Sequence, residues 1–119
     1  MATPNDIADE MKKISEKVQN TLRRKGSDYS GNTDTFSSFK TTSSLSNVPT
    51  EKVIFTRIAD KMSRIGNILD TENKVKDETV EDTIVDCIGY LVLLKSYLHE
   101  KNNTLVKKVV VEEDDGLPV

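Results

Sequence analysis

Apolar residues recur along the N-terminal part of the chain at spacings of four and three positions. This spacing predicts an amphipathic helix of about five turns, whose inner face is formed by Ile7, Met11, Ile14, Val18 and Leu22. Thr3 and Asp6 form a capping box at its start, and Pro4 occupies the helical position that proline prefers. Gly26 is predicted to end this helix.

A second stripe of the same spacing predicts another long helix that starts at Pro49 and Thr50, with Thr50 as its cap. Its predicted core face consists of Ile54, Phe55, Ile58, Met62, Ile65 and Leu69. The opposite side carries a polar stripe of Arg57, Asp60, Arg64 and Asn67, with Lys61 at its margin. Two interpretations remain open for this stripe: an ordinary solvated face with an Asp60–Arg64 pair, or a face that binds an anion.

A third helix is predicted to begin near Asp77 or Thr79 and to run to about His99. It is apolar on both faces, so it is expected to be covered on both sides. Asp82 and Asp86 lie one turn apart on one stripe near its start, where they are expected to be partly buried and to need a cation or a basic partner. A capping box beginning at Thr79 is an alternative role for Asp82, but it leaves Asp86 unexplained.

The segment between the first two helices has a different composition, with twelve Ser or Thr among residues 27–50. Such a composition is typical of a flexible loop. Tyr29, Phe36 and Phe39 instead favour a loop that folds back over the helices, with a tight turn at residues 28–32. The predicted organisation is therefore a helical domain over residues 1–103, which contains this loop at 26–49. A tail follows at 104–119, which either pairs as a strand or hangs loose.

Composition narrows the functional classes. The 119 residues suit one domain, and a net charge of −3 gives no electrostatic footprint for binding duplex nucleic acid. No apolar run reaches the roughly 20 residues that span a bilayer, and the N-terminus lacks the order of a signal peptide, so a cytoplasmic protein is expected. The single cysteine, Cys87, lies on the apolar face of the third helix and is interpreted as a small core residue rather than a nucleophile.

The chemistry that the sequence does offer consists of oxygen ligands next to basic groups. Asp82 and Asp86 are predicted on one helix, and Asp60 lies beside Arg57 and Lys61 on another. Carboxylates on helices suit Mg²⁺, which takes one or two of them together with phosphate oxygens and water. Arg and Lys side chains nearby are suited to hold the remaining phosphate charge.

Four motifs that occur in order carry a resemblance. They are Lys25-x-x-Asp28-Tyr29-Ser30-Gly31, Phe36-x-x-Phe39, Arg57-x-x-Asp60-Lys61-x-x-Arg64 and Glu81-Asp82-Thr83-x-x-Asp86-x-x-x-Tyr90. As a set they resemble the nucleotide-modification-associated domain, a family of small phage and bacterial proteins grouped with the all-α, MazG-like nucleotide pyrophosphohydrolases. The similarity spans roughly residues 7–98.

The resemblance implies a helical fold, a homo-oligomer and a ligand that carries phosphates. In MazG-like enzymes two helices supply acids that hold Mg²⁺ while water attacks a nucleoside triphosphate. Asp86 matches the last acid of one such pattern, but Thr83 stands three residues before it and the acid is Asp82 instead. The other helix has Asp60 with Lys61 and Arg64 where a second acid pair is expected, a departure that bears on catalysis more than on anion binding.

The sequence thus predicts an all-α bundle of three long helices, with the Ser/Thr-rich loop closing over a nucleotide site. As an enzyme it would be a Mg²⁺-dependent nucleotide pyrophosphohydrolase, in which Asp60, Asp82 and Asp86 hold the metal and Glu81 orients water, so that Glu81 and Asp86 are its catalytic residues. The predicted ligand-binding residues are Lys25, Asp28, Tyr29, Phe39, Arg57, Lys61, Arg64 and Tyr90. Two alternatives remain: a non-catalytic phage protein that sequesters a nucleotide signal of antiviral defence in the bacterial host, and a structural oligomer in which the buried charges fix helix register.

Overall fold

The chain is all-helical throughout the part that the structure describes. The structure is a computed structural model that describes residues 1–30, 34–71 and 77–109, with side chains described at 1–25, 34–71 and 80–103. Four helices and no strand occur in these ranges: α1 (Pro4–Ser30), α2 (Ser37–Ser46), α3 (Thr50–Asp70) and α4 (Asp77–Val109). The predicted all-α class is confirmed, but the number of helices is four rather than three because the Ser/Thr-rich segment contains α2.

Helix α1 starts as predicted and ends later. The Asp6 amide donates to Thr3 Oγ1 at 3.1 Å and the Thr3 amide donates to Asp6 Oδ2 at 3.0 Å, which is the expected capping box. The predicted stop at Gly26 is wrong, because one glycine costs a helix only about 1 kcal/mol and no proline follows it. The predicted tight turn is also wrong for residues 28–30, which are helical, while residues 31–33 lie outside the described part.

Helix α2 is held at both ends by short-range hydrogen bonds. Asp34 Oδ1 accepts from the Phe36 amide at 3.0 Å, and the Asp34 carbonyl accepts from the Ser37 amide at 3.0 Å. At the other end Asn47 adopts a left-handed conformation with φ 62°, and its amide donates to the Ser43 carbonyl. The Ser/Thr-rich stretch therefore contains a short, largely exposed helix that is flanked by the polar residues Asp34 and Asn47.

The core forms where α3 packs along α4, while α1 also packs against α4 and α2 against α3. Its buried apolar members are Val18, Phe36, Val53, Ile54, Ile58, Val85 and Cys87. Ile54 is fully buried, and Cys87 is a free, buried core residue as predicted. The second and third of the predicted long helices, α3 and α4, therefore face one another.

Part of the predicted core face of α3 is instead exposed. Phe55, Met62 and Leu69 retain 57%, 58% and 71% of their accessible surface. These three residues lie seven positions apart, on the flank of the apolar stripe, so the contact with α4 covers Ile54 and Ile58 but leaves this flank open. The same holds for Ile7 and Met11 at the start of α1, which are also exposed.

The ends of α3 and α4 differ from prediction in detail. Pro49 rather than Thr50 occupies the cap position of α3, and Thr50 is a buried first-turn residue. Helix α4 begins at Asp77 as expected but continues past His99 to Val109, so residues 104–109 are helical rather than strand-like. No Gly or Pro interrupts the chain there, which lets the helix propagate. Residues 110–119 of the predicted tail lie outside the described part.

An ion pair joins the two long C-terminal helices at one end. Lys101 Nζ lies 2.7 Å from Glu51 Oε2 in the first turn of α3. This hydrogen bond holds the pKa of Glu51 below its usual value and raises the pKa of Lys101. No helix in the described ranges is both long enough and apolar enough to cross a membrane.

Candidate functional site

A pocket of about 410 Å³ opens where side chains of all four helices meet. Its volume lies in the range of small-molecule sites. The lining residues are Thr21, Leu22 and Lys25 from α1, Thr35, Ser38 and Phe39 from the α2 region, Arg57 from α3, and Asp86, Gly89, Tyr90 and Leu93 from α4. Apolar walls with a few convergent charges are the usual composition of a ligand-binding site.

The charged part of the pocket is organised around Asp86. Lys25 Nζ donates to Asp86 Oδ1 at 3.4 Å, and Lys61 Nζ donates to Asp86 Oδ2 at 3.3 Å. The side chains of Asp86, Lys61 and Lys25 are 23%, 20% and 35% exposed, so the cluster is largely shielded yet reachable from solvent. One carboxylate therefore joins α1, α3 and α4 by engaging a cation with each of its oxygens.

Among the described residues around the pocket, positive charge exceeds negative charge. Lys25 and Arg57 line it, Lys61 reaches it through Asp86, and Asp86 is its anionic side chain. This local excess contrasts with the net charge of −3 of the whole chain. Cationic side chains at the edge of an apolar cavity attract an anionic ligand and contribute charge-assisted hydrogen bonds to it.

Two aromatic rings form a wall of the same pocket. Phe39 of α2 and Tyr90 of α4 contact each other edge to face, with ring centroids 6.4 Å apart and an interplanar angle of 79°. A second pair, Phe36 and Tyr97, has centroids 5.3 Å apart and fastens α2 to α4 farther along. Phe36 and Phe39 of the Ser/Thr-rich segment thus fold back over the helices as expected, and Phe39 places its ring against the cavity.

Gly89 contributes to the depth of the pocket. A Cβ atom added there would lie 3.5 Å from Leu22 Cδ2, at ordinary contact distance. Asp86 and Tyr90 stand one turn apart on either side of this position along α4. The glycine leaves the cavity open between the carboxylate and the aromatic ring.

Asp34 anchors the segment that carries the α2 wall. Its Oδ1 atom accepts from the Phe36 amide, and its Oδ2 atom lies 2.7 Å from Lys40 Nζ. The Lys40 hydrogen bond, helped by that from the Phe36 amide, lowers the pKa of Asp34, and the same bond raises the pKa of Lys40. Because Phe39 precedes Lys40 directly, this ion pair fixes the turn from which the aromatic ring projects.

The pocket brings together part of the predicted site. Lys25, Phe39, Arg57, Asp86 and Tyr90 all line it, and they come from four segments that are distant in sequence. Lys61 joins them through its bond to Asp86. The side chains of Asp28 and Tyr29 lie outside the described residues, so their predicted contacts stay predictions.

Other predicted site residues lie elsewhere. Arg64 and Asp60 are exposed on α3 and are absent from the pocket lining. Asp82 is exposed one turn before Asp86, so the expectation of partial burial is wrong for Asp82 and right for Asp86. Lys25 and Lys61 contact the Asp86 carboxylate but not the Asp82 carboxylate. Glu81 forms an ion pair with Lys17 of α1, away from the cavity.

The described donors fit a Mg²⁺ site poorly. Both oxygens of Asp86 already accept from ammonium groups, which a metal would have to displace. Within residues 1–25, 34–71 and 80–103 no group of three or more His, Cys, Asp or Glu side chains could hold a metal ion. Since Mg²⁺ takes one or two carboxylates together with phosphate oxygens and water, Asp86 could serve as its ligand only if Lys25 or Lys61 moved away from it.

Several lining residues were not predicted from the sequence. Thr21 and Leu22 lie on the same stretch of α1 as Lys25, and Ser38 precedes Phe39 on α2. The helical spacing of Leu22 and Lys25 could have indicated Leu22, because residues three apart share a face. Nothing local distinguishes Ser38 among so many serines.

Comparison with protein-family models, curated proteins and solved structures gives no match for this chain.

Proposed function

We propose that this protein binds a nucleotide, or another phosphorylated small molecule with an aromatic ring, in the four-helix pocket and holds it without chemical turnover. The observation that supports this most directly is the juxtaposition of the Phe39–Tyr90 wall with Lys25 and Arg57 around a cavity of about 410 Å³. A planar base packs well on aromatic rings, and phosphate oxygens accept from Lys and Arg. A ligand with both parts would use both halves of the pocket.

Asp86 supports binding over hydrolysis. In a Mg²⁺-dependent hydrolase this carboxylate would coordinate metal, whereas here it forms ion pairs with two lysines. The proposal therefore assigns it the role of an internal counter-ion that keeps Lys25 and Lys61 in place while the pocket is empty. Sequestration of a nucleotide signal, as expected for a phage protein acting in the cytoplasm of a bacterial host, needs tight binding alone.

The sharpest mutational test compares two arginines of α3. Arg57 lines the pocket and Arg64, two turns farther along, does not. Loss of one charge-assisted contact costs about 1.5–3 kcal/mol, so Arg57→Ala should weaken binding about tenfold to a hundredfold. Arg64→Ala should leave the Kd within about twofold, which controls for the loss of positive charge.

The assay uses the full-length protein and isothermal titration calorimetry with a panel of nucleoside mono-, di- and triphosphates and cyclic nucleotides, in Mg²⁺ and in EDTA. Bound material is then released by denaturation and chromatographed. Intact ligand recovered at stoichiometric amounts, with equal affinity in EDTA, is the expected result. Mg²⁺-dependent release of pyrophosphate would show the hydrolase predicted from the resemblance instead, and equal losses in Arg57→Ala and Arg64→Ala would contradict the assigned pocket.

A further inference from the structure

The exposed flank of α3 has the pattern of a helix-pairing seam. Its five positions are Phe55, Ala59, Met62, Gly66 and Leu69, which follow one another at spacings of four, three, four and three. This is the spacing of the contact positions in a coiled coil. All five residues are exposed, and Phe55, Met62 and Leu69 each leave more than half of their surface uncovered. Large apolar side chains aligned along one helix face mark an interaction surface.

Large and small residues alternate along the seam. Phe55, Met62 and Leu69 occupy one set of alternate positions, and Ala59 and Gly66 occupy the other. A Cβ atom added at Gly66 would meet nothing within 4 Å, so there is open space beside the helix at that point. Bulky side chains and open spaces therefore alternate along the seam.

We infer that this seam docks against the same seam of a second copy of the chain, with the two α3 helices antiparallel. A two-fold axis between residues 60 and 61 places Phe55 opposite Gly66 of the second copy and Ala59 opposite Met62 of the second copy. Phe55 and Met62 of each copy then meet a small residue, and Leu69 meets Lys52. A parallel pair would instead stack Phe55 on Phe55 and leave Gly66 facing Gly66, which packs poorly.

Charge complementarity favours the same arrangement. The seam continues N-terminally to Lys52, and Asp70 follows it at the C-terminal end; both are exposed, and neither forms an ion pair within the described ranges. The antiparallel register sets Lys52 beside Leu69 and Asp70 of the second copy, and symmetry repeats the pair at the other end. In a parallel pair Lys52 would approach Lys52 and Asp70 would approach Asp70, which is repulsive.

The first test is the mass of the full-length protein in solution, measured by light scattering after size exclusion at about 100 µM. A dimer should have twice the 13.3 kDa of one chain. Met62→Glu places two charges at the centre of the seam and should reduce the mass to that of one chain, with the helical circular dichroism unchanged because Met62 is exposed. Leu45→Glu on α2, at a position that is more exposed than Met62 and away from the seam, should leave the mass unaltered.

The second test fixes the orientation by disulfide cross-linking. Phe55→Cys and Gly66→Cys chains are mixed, one of them lengthened by a tag, and oxidised; Cys87 is buried and common to both. The antiparallel register brings position 55 of one copy to position 66 of the other, whereas two copies of position 55 lie about 17 Å apart along the axis, too far for a disulfide. The mixed product should therefore dominate.

A monomeric wild-type protein, or a mass that Met62→Glu leaves unchanged, would overturn the interface. Predominance of the Phe55→Cys homodimer would overturn its antiparallel direction. Because none of the seam residues lines the ligand pocket, these outcomes are independent of whether a nucleotide binds there.

Discussion

Replacing Asp86 with asparagine separates the two roles that a carboxylate could have in this pocket. Asparagine keeps the size of the side chain and removes its charge. Lys25 and Lys61, which the carboxylate engages at 3.4 and 3.3 Å, then lose the one anionic partner that each has among the described residues and become available to a phosphate. We expect Asp86→Asn to bind a phosphorylated ligand more tightly than the wild type and to be less stable without it.

The expected gain follows from the charge that is removed. For a phosphate centred about 8 Å from the Asp86 carboxylate, on the far side of Lys25, two unit charges repel by about 2 kcal/mol at an effective dielectric constant of about 20. Because 23% of the carboxylate is exposed to solvent, we take roughly half of this value, about 1 kcal/mol. This corresponds to a Kd about fivefold lower.

The expected loss of stability has a similar size. Lys61 is 20% exposed and Lys25 is 35% exposed, so each loses a partly screened counter-charge rather than a fully buried one. A total cost of about 1 kcal/mol lowers the Tm of a domain of this size by about 4 °C. Saturating ligand should therefore raise the Tm of Asp86→Asn by more than it raises the Tm of the wild type.

Calorimetry gives the Kd and differential scanning fluorimetry gives the Tm. Asp82→Asn is the matched control: Asp82 lies one turn earlier on the same helix, is exposed and is absent from the pocket lining, so both quantities should stay near the wild-type values. Loss of binding in Asp86→Asn alone would refute the counter-ion role. If EDTA abolished wild-type binding as well, Asp86 would be a metal ligand.

Three further predictions concern the fold and the walls of the pocket. Ile54→Ala, at a fully buried site, should lower the free energy of unfolding by about 3 kcal/mol in urea titration, whereas Leu45→Ala, at an exposed site, should change it by less than about 0.5 kcal/mol. Asp34→Asn keeps an oxygen that accepts from the Phe36 amide but loses the ion pair to Lys40. Since the pKa of Asp34 is lowered in the folded state, the resulting Tm deficit should be complete above about pH 5 and vanish as the pH falls through that lowered pKa; a deficit that persists in acid would contradict the assignment. Gly89→Ala should raise the Tm, because alanine favours the helix by about 1 kcal/mol and its Cβ meets Leu22 at ordinary contact distance; a lower Tm would show that the pocket floor is tighter than 3.5 Å implies.

The long helices could be predicted because their signals are local. The Thr3–Asp6 capping box and the spacing of apolar residues both act within a few residues, and the start of α4 at Asp77 follows from the same kind of signal. Helix α2 was missed because serine and threonine are weak helix formers, and its stability depends on contacts such as that between Phe36 and Tyr97. The helix passes Gly26 for a similar reason: a single unfavourable residue does not outweigh its neighbours.

The sequence indicated which residues belong to the site but not which of them contact each other. A motif indicates that Lys25, Arg57 and Asp86 belong together, but it does not say which charge lies against which. These pairings depend on how far each helix is rotated about its axis: Lys25 and Lys61 both approach Asp86, while Glu81 pairs with Lys17. Rotation is set by core packing and is not encoded in the spacing of the charged residues. The same rotation exposes Phe55, which periodicity alone places in the core.

The arrangement around Asp86 also bears on which anions the pocket should prefer. In the empty pocket the Asp86 carboxylate accepts an ionic hydrogen bond from Lys25 and another from Lys61, so an entering ligand must compete with this existing pair. An anion of one charge exchanges one such interaction for another and gains little. A phosphate with about two charges and three acceptor oxygens can engage Lys25 and Arg57 while Lys61 stays on Asp86, and it therefore gains contacts without breaking the bond that joins α3 to α4. If the pocket binds anions as proposed, this counter-ion should favour phosphate over carboxylate ligands, because it raises the minimum charge that binding requires.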